Sequence, residues 1–483
     1  MPTTTVNDRE ARVPLAVDLD GTLIRTDMMW ESLARLLRKN PLSALASPFW
    51  LLRGRAHFKQ QLATRVQVDA ASLPYHEEFL NWLRDEKRAG RKLVLATASD
   101  VEMAKPVAQH VGLFDEILAS DGRTNLRDNA KLTALTKMFG ERGFDYAGNS
   151  SPDLDVWSGS REAIVVNASS GLVQKASART KVGRIFPTNI SLTAALLKSL
   201  RPHQWLKNLI VFVPVLTAHR LSDPHALATA AMAFLAFCLC ASAVYLSNDI
   251  LDLEADRHHP TKRNRPFASG HLPLQFGLFG APVLLLGALG CGLTLSWNFA
   301  AVVLLYFALA TGYSLRLKQV ALLDVFVLAG LYTLRLIAGH VATGIAYSPW
   351  LLVFSMFIFL SLALLKRFLE LQSVRQQNRH EVKGRGYTAG DLELVTTLGL
   401  VSGYLAVLVM ALYVNSEQVR VFYAHPLRLL LVCPLLLFWV SRLWFLAHRG
   451  QVHDDPTAFA LKDWVSYTVG ALTLAVMWLA TGH

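Results

Sequence analysis

From about Ile190 onward the chain is a succession of long apolar runs, each near the ~20 residues that a helix needs to cross a bilayer. Hydrocarbon offers no partner to a backbone N–H or C=O, so runs of this length and number predict an all-α membrane bundle. Nine spans are expected, at about 205–218, 226–247, 273–293, 298–314, 320–341, 349–366, 394–414, 427–445 and 464–481. Up to about Ser170 the chain instead alternates charged and apolar stretches, as soluble proteins do. The 483 residues therefore divide into a front domain at 1–170, a basic linker at 171–195 that can lie along a membrane surface, and a membrane domain at 196–483.

Charge fixes an expected orientation. Loops after the second, fourth, sixth and eighth spans carry Arg257, Lys262, Arg263 and Arg265; Arg316 and Lys318; Lys366, Arg367, Arg375, Arg379, Lys383 and Arg385; and Arg442, Arg449 and Lys462. The opposite loops offer little beyond Arg220, Arg420 and Arg428. Lys and Arg bias of this kind marks the cytoplasmic side. The opening MPTTTVNDREARVPLAVD lacks an apolar core of signal-peptide length. A multi-pass protein of the inner (plasma) membrane is expected, with its N-terminal domain cytoplasmic and its C-terminus on the opposite face. The net charge of +12 belongs mostly to these loops, where it serves topology and anionic headgroups. No nucleic-acid reader motif accompanies it, so no nucleic-acid partner is expected. Cys238, Cys240, Cys291 and Cys433 all fall in apolar runs and read as small buried hydrophobes.

In the front domain, VPLAVDLDGTLIRTD opens with a strand-like run that ends in Asp18-Leu19-Asp20-Gly21-Thr22. Acids two apart at a strand end point the same way, and Gly21 permits a sharp turn. The pair suits a nucleophilic carboxylate, Asp18, beside a general acid or base, Asp20, around Mg²⁺. In the membrane half, NDILDLEAD closes the second span. At ~100° per residue Asp249, Asp252 and Asp256 lie within about 60° of one another on a helix, with Asn248 extending the stripe. Three carboxylates on one face repel unless a cation sits between them, and oxygen ligands favour Mg²⁺. Lys262 and Arg265 follow at once in HHPTKRNRP, within reach of phosphate. A second cluster, Tyr313, Arg316, Lys318 and Asp324, follows the fourth span, and Arg335 comes eleven residues after Asp324 on nearly the same helical face. A charge inside a span is costly and reads as functional by default, with bundle packing as the alternative.

Two resemblances follow from these motifs. Residues 12–170 resemble the haloacid dehalogenase-like hydrolases, which implies a Rossmann-like α/β domain with a small helical cap, here from about Ile24 to Arg88. The resemblance implies Thr97 in KLVLATAS as the phosphate-binding hydroxyl, with Ser99 the other choice, and Lys131 as the lysine that steadies phosphate and nucleophile. It implies Asn149 and Asp153 of GNSSPD as metal ligands, with Asn149 standing where the family has an acid. Residues 195–483 resemble the UbiA superfamily of intramembrane prenyltransferases, which implies that Asn248, Asp249, Asp252, Asp256 and Asp324 hold Mg²⁺ and a phosphorylated prenyl chain. Where many members read DxxxD at the second motif, this chain has Asp324 followed by Val325, Phe326, Val327 and Leu328.

LRPHQWLKNLIVFVPVL, with Arg201, Gln204, Lys207 and Asn208 at the first span's entrance, looks most like decaprenyl-phosphate phosphoribosyltransferases. That likeness implies transfer of 5-phosphoribosyl from phosphoribosyl diphosphate to a polyprenyl phosphate, with Lys207, Lys262, Arg265, Lys318 and Arg335 meeting the phosphates. His453, Asp454 and Asp455 are further candidates for the donor ribose or a second metal, with a solvated loop as the alternative. Other readings are an aromatic prenyltransferase that uses a polyprenyl diphosphate and an aromatic acceptor, and a membrane-tethered scaffold with a degenerate phosphatase domain. A front phosphatase would act on the 5-phosphate of the transferase product.

Overall fold

The computed structural model describes residues 13–121, 125–187, 191–377, 380, 384–417, 419–452, 455–460 and 462–481. They form two compact bodies: one runs to Leu200 and includes Tyr245–Ala281, and the other comprises Arg201–Val244 and Pro282–His483.

The first body is built on a six-stranded parallel sheet in the order β3-β2-β1-β4-β5-β6. Its strands are β1 (Leu15–Val17), β2 (Leu93–Asp100), β3 (Glu116–Ser120), β4 (Asp145–Gly148), β5 (Glu162–Val166) and β6 (Lys181–Phe186). Alternation sorts the strand residues to two faces. Leu15, Val17, Leu93 and Leu95 enter one apolar cluster, and Ala16, Ala96, Tyr146 and Val165 the other. A parallel sheet covered on both faces explains why LAV and LVLA read as continuous apolar runs. Strand order reverses between β1 and β4, and ligands of such sheets bind outside the carboxyl ends of the strands at that switch point. Asp18 follows β1 there and Asn149 follows β4.

Two expected boundaries move. The basic linker at 171–195 carries a helix, Ser170–Ser177, and then β6, which pairs with β5 from Glu162↔Lys181 to Val166↔Phe186. An edge strand needs few apolar residues, and β6 is exposed along most of its length, so KVGRIF gives little strand signal. The cap ends earlier than Arg88. An antiparallel bridge between Ile24 and Tyr75 ties off the insert, and the helix Glu77–Arg88 lays Phe79, Leu80 and Leu83 in the cluster that contains Leu15 and Val17.

Among the described residues eight helices are long and apolar enough to cross a membrane: Pro224–Leu251, Leu274–Leu295, Trp297–Leu315, Leu323–Thr343, Pro349–Gln376, Ala389–Val414, Pro426–His448 and Trp464–Thr481. The first expected span takes another form, a 3₁₀ run Pro202–Phe212 continued by the short helix Val213–Thr217. Pro202 and Pro214 sit at the starts of these pieces, where a missing N–H costs least. At ~2 Å rise per 3₁₀ residue and ~1.5 Å per α residue, the two pieces placed end to end reach roughly 30 Å, about the thickness of a hydrocarbon core. Gly339 seats this segment against Leu323–Thr343. A Cβ there would collide with the Val211 carbonyl and lie 3.0 Å from the Pro214 ring, so glycine permits the close approach.

Candidate functional site

At the β1/β4 switch point the backbone N–H of Asp18 donates to the Ala147 carbonyl at 3.0 Å, which fixes the loop carrying both acids. Gly21 has φ +76°, a left-handed backbone that strains other residues, and a Cβ there would push the Asn149 amide out of place, so glycine suits the turn. Asp18 Oδ1 accepts from Lys131 Nζ at 2.7 Å, and Lys131 also donates to the Tyr146 hydroxyl at 2.8 Å. Tyr146 passes the chain on to Asp153 Oδ1 at 2.8 Å. The other Asp153 oxygen accepts from the Asn149 N–H, the Ser150 N–H and Ser150 Oγ. Asp20 accepts from the Met28 N–H at 2.8 Å and from Ser99 Oγ at 2.6 Å, while Thr97 Oγ1 accepts from the Ser99 N–H.

Burial dominates the electrostatics. It raises the Asp18 carboxyl to about 7, with Lys131 opposing and Asp153 and Asp20 adding to the rise. Burial likewise raises Asp20 to about 6, helped by Asp27. Lys131 stays above its ordinary range despite burial because Asp18 and Asp153 face it.

The acidic segment of the same body departs from one continuous stripe. Pro224–Leu251 ends, Asp252 takes φ −94° and ψ 9°, and a short helix resumes at Leu253–Arg257. Asp249 and Asp256, both buried, share Arg265 Nη1 at 3.2 and 2.6 Å. Asp252 instead meets Arg38 Nη1 at 3.3 Å, so the break parts like charges that an ideal helix would stack. Asn248 Oδ1 is buried with no hydrogen-bond partner. Lys262 is exposed in the turn Lys262–Asn264.

In the second body Arg335 is buried, and each of its three nitrogens donates one hydrogen bond. Its Nε donates to Asn208 Oδ1 at 2.8 Å, Nη1 to the Leu331 carbonyl at 2.7 Å and Nη2 to the Tyr306 hydroxyl at 2.7 Å. Its guanidinium lies 4.8 Å from the Tyr306 ring and 5.2 Å from the Tyr332 ring. Lys366 and Lys207 converge on Asp455 Oδ2 at 2.8 and 3.5 Å. Burial alone would raise Asp455, but the two lysines hold its carboxyl well below the usual carboxylate range. Thr457 donates to Asp455 through its N–H and accepts or gives a hydrogen bond at the Tyr332 hydroxyl.

Residues 209–467 match the UbiA prenyltransferase family. The chain belongs to that family. Residues 15–155 match haloacid dehalogenase-like hydrolases. An uncharacterized protein of Sinorhizobium fredii, y4nM, is 39% identical over 474 residues, covering 98% of this chain and 92% of that protein. The nodulation protein NoeC of Azorhizobium caulinodans is 36% identical over 284 residues, 58% of this chain and 90% of its own. Decaprenyl-phosphate phosphoribosyltransferase of Mycobacterium tuberculosis is 38% identical over 213 residues, 43% of this chain and 70% of that enzyme.

The structure thus gathers the sequence candidates of this UbiA protein into three groups: Asp18, Asp20, Thr97, Lys131, Asn149 and Asp153; Asn248, Asp249, Asp256 and Arg265; and Lys207, Asn208 and Arg335. Asp252 is turned to Arg38. Asp324 is ion-paired with Arg367 and Arg385 at 3.2 and 3.5 Å and accepts from the Tyr387 hydroxyl at 2.6 Å. Tyr313 accepts from Arg385 Nη1 at 3.0 Å. Lys318 lies in the 3₁₀ turn Leu317–Gln319, and Arg201 takes a left-handed backbone with φ 53° just ahead of the first 3₁₀ run. His453 and Asp454 lie outside the described residues. Tyr146, Tyr306, Tyr332 and Lys366 were not legible as site residues, because each reads as an ordinary aromatic in a strand or span, or as a topology-setting lysine.

Among the described residues no three His, Cys, Asp or Glu side chains are gathered closely enough to hold a metal. The donor sets nevertheless suit Mg²⁺. They are hard oxygens, the Asn248 amide oxygen is orphaned, and burial together with neighbouring carboxylates raises Asp18 and Asp20, a charge arrangement that a divalent cation would relieve. A raised carboxyl favours the folded state while protonated. The stabilising contribution of these two carboxyls in the metal-free front domain is therefore fully present below an ordinary carboxylate value of 3.8 and is lost as pH rises from there through about 7. Thermal unfolding of the full-length protein, followed at the front domain, should show a loss on the order of 2–4 kcal/mol between pH 5 and pH 8. Mg²⁺ should recover most of that loss at pH 8, and Asp18→Asn should flatten the pH dependence. An equal Mg²⁺ effect at both pH values would exclude Asp18 as its cause.

Proposed function

We propose that this UbiA protein transfers 5-phosphoribosyl from phosphoribosyl diphosphate to a polyprenyl phosphate, and that its front domain removes the 5-phosphate from the product. The observation that carries the reading is the set of cations in the second body: Lys207 and Lys366 on one carboxylate, and Arg335 buried inside a membrane helix. A donor with a diphosphate and a 5-phosphate and an acceptor with a third phosphate need such a set. The similarity to decaprenyl-phosphate phosphoribosyltransferase supports the same substrates.

An oxygen of the lipid phosphate attacks the anomeric carbon, the bond from that carbon to the diphosphate oxygen breaks, and diphosphate leaves with the bonding pair. Arg335 stays fixed by Asn208, Leu331 and Tyr306, so its charge is preorganised for phosphate. Asn248, Asp249 and Asp256 would hold Mg²⁺, which supplies charge neutralisation for the departing diphosphate. Arg265, which bridges the two acids, would then be available to a phosphate oxygen.

In the front domain Asp18 attacks the 5-phosphate phosphorus, and Asp20 protonates the departing ribose oxygen. Water then hydrolyses the aspartyl phosphate. Lys131 orients Asp18, Thr97 in the C-terminal half of β2 would meet phosphate, and Asn149 just past β4 would meet the metal. The front domain lies on the cytoplasmic side, where the soluble donor is.

Detergent-purified protein, given Mg²⁺, polyprenyl phosphate and phosphoribosyl diphosphate labelled in the ribose and at the 5-phosphate, tests both steps. Ribose label should enter the lipid phase, and the 5-phosphate label should later leave it. Prenylation of an aromatic acceptor with no ribose label in the lipid would replace the reading with an aromatic prenyltransferase.

A further inference from the structure

The cap of the front domain carries a feature that neither proposed reaction uses. Between Glu31 and Asp69 the sequence has no acidic residue, while Arg35, Arg38, Lys39, Arg53, Arg55, Lys59 and Arg65 all fall in that stretch. In its middle two short helices, Pro41–Leu45 and Ser47–Leu52, form an elbow. Each opens with proline in its first turn, which is where proline helps a helix begin. The elbow leaves large apolar side chains in the open: Leu42 is 78% exposed, Phe49 69%, Leu51 51% and Leu52 84%. Lys39 and Arg53, both exposed, flank them.

Four large hydrophobes displayed together on two helical turns exceed what a water-facing surface commonly carries. Buried on a bilayer, each removes apolar surface from water, and the flanking lysine and arginine meet anionic headgroups.

The cap is also fastened beside a membrane helix within its own body. Arg257, the residue after Asp256, donates to both carboxylate oxygens of Glu31 at 3.0 and 2.5 Å, with both side chains buried. One residue earlier, Trp30 meets Phe279 edge to face at 5.6 Å between ring centroids. Phe279 belongs to the candidate span Leu274–Leu295 and is 59% exposed, as a lipid-facing position would be. The cap thus already touches the apolar flank of a span near that span's first turns.

We propose that the elbow Pro41–Leu52 is a bilayer-docking surface, with Leu42, Phe49, Leu51 and Leu52 inserted at the headgroup–acyl boundary of an anionic membrane and the flanking basic residues on the headgroups. The surface keeps the cap at the membrane through a contact separate from the spans themselves.

A photo-crosslinking benzoylphenylalanine at Phe49 of the full-length protein, reconstituted in nanodiscs of phosphatidylcholine with phosphatidylglycerol, tests the assignment. Leu52 serves as a second position, and Met138, an exposed residue of the front-domain helix Asn129–Phe139, as the control. Lipid adducts at Phe49 and Leu52 should exceed those at Met138 by about tenfold, and should fall severalfold when phosphatidylglycerol is left out. Adducts to a second copy of the chain would mark the elbow as a self-association surface and overturn the proposal. Lipid adducts no more frequent than at Met138 would overturn it as well.

Discussion

Asp249→Asn is expected to cut label transfer into the lipid by about 10²–10³-fold at fixed Mg²⁺, the scale seen when one preorganised electrostatic group is removed from an active site. The reason lies in the split of the acidic segment. Asp249 and Asp256 are both buried and held together by one nitrogen of Arg265, whereas Asp252 is half-exposed and paired with Arg38. Asparagine keeps the shape and one oxygen but removes a negative charge, so Arg265 would rest on Asp256 alone. The fold should survive because no buried cation is stranded. Asp256→Asn should behave alike, and Asp252→Asn should lose less than tenfold, because its carboxylate is compensated on the other side. Mg²⁺ titrations of the three variants separate the cases. Equal losses at Asp249 and Asp252 would restore the continuous stripe that helical spacing suggests and refute the division seen in the structure.

The comparison of sequence with structure turns on range. Eight spans were legible because a bilayer crossing is a local demand on ~20 consecutive residues. The Asp18 loop was legible because strand, acids and turn glycine are contiguous. What escaped depends on partners far away in the chain. The strand β6 was missed because an edge strand with one face in water carries no apolar period. The first span was expected as a plain helix because hydropathy does not register that Pro202 and Pro214 divide it into a 3₁₀ run and a short helix. Spacing put Asp324 and Arg335 on one face, and they do share a helix. Three turns apart, they meet different neighbours: Asp324 faces Arg367 and Arg385, and Arg335 faces Asn208 and Tyr306. Lys366 was read as a topology signal because nothing local links it to Asp455, 89 residues away.

The Asp324 cluster yields the second large effect, and its sign separates two roles for that residue. Asp324 is fully buried, Arg367 nearly so, and their ion pair is continued by Arg385 to Glu370 at 3.1 Å and to Tyr313. Removing one partner of a buried pair costs about 3–5 kcal/mol where the other charge is left bare, and here Arg367 keeps Glu370, which sets that range as the upper bound. Asp324→Asn should therefore lower the thermal stability of the purified protein by up to that amount, with Glu370 still holding Arg367, measured as an earlier unfolding transition in detergent. Replacing the pair together, Asp324→Leu with Arg367→Met, should recover part of the loss, because no bare guanidinium is then left in the bundle. Arg385 limits the recovery, since it also faces Asp324 and would keep only Glu370 and Tyr313. A residue with this structural role leaves the Mg²⁺ requirement of the folded fraction unchanged. A metal ligand at the same position would do the opposite: the asparagine variant would unfold at the same temperature and need several-fold more Mg²⁺ for transfer. That pattern would return Asp324 to the metal-binding role its motif suggests, and would mean that Arg367 and Arg385 give way when substrate and metal arrive.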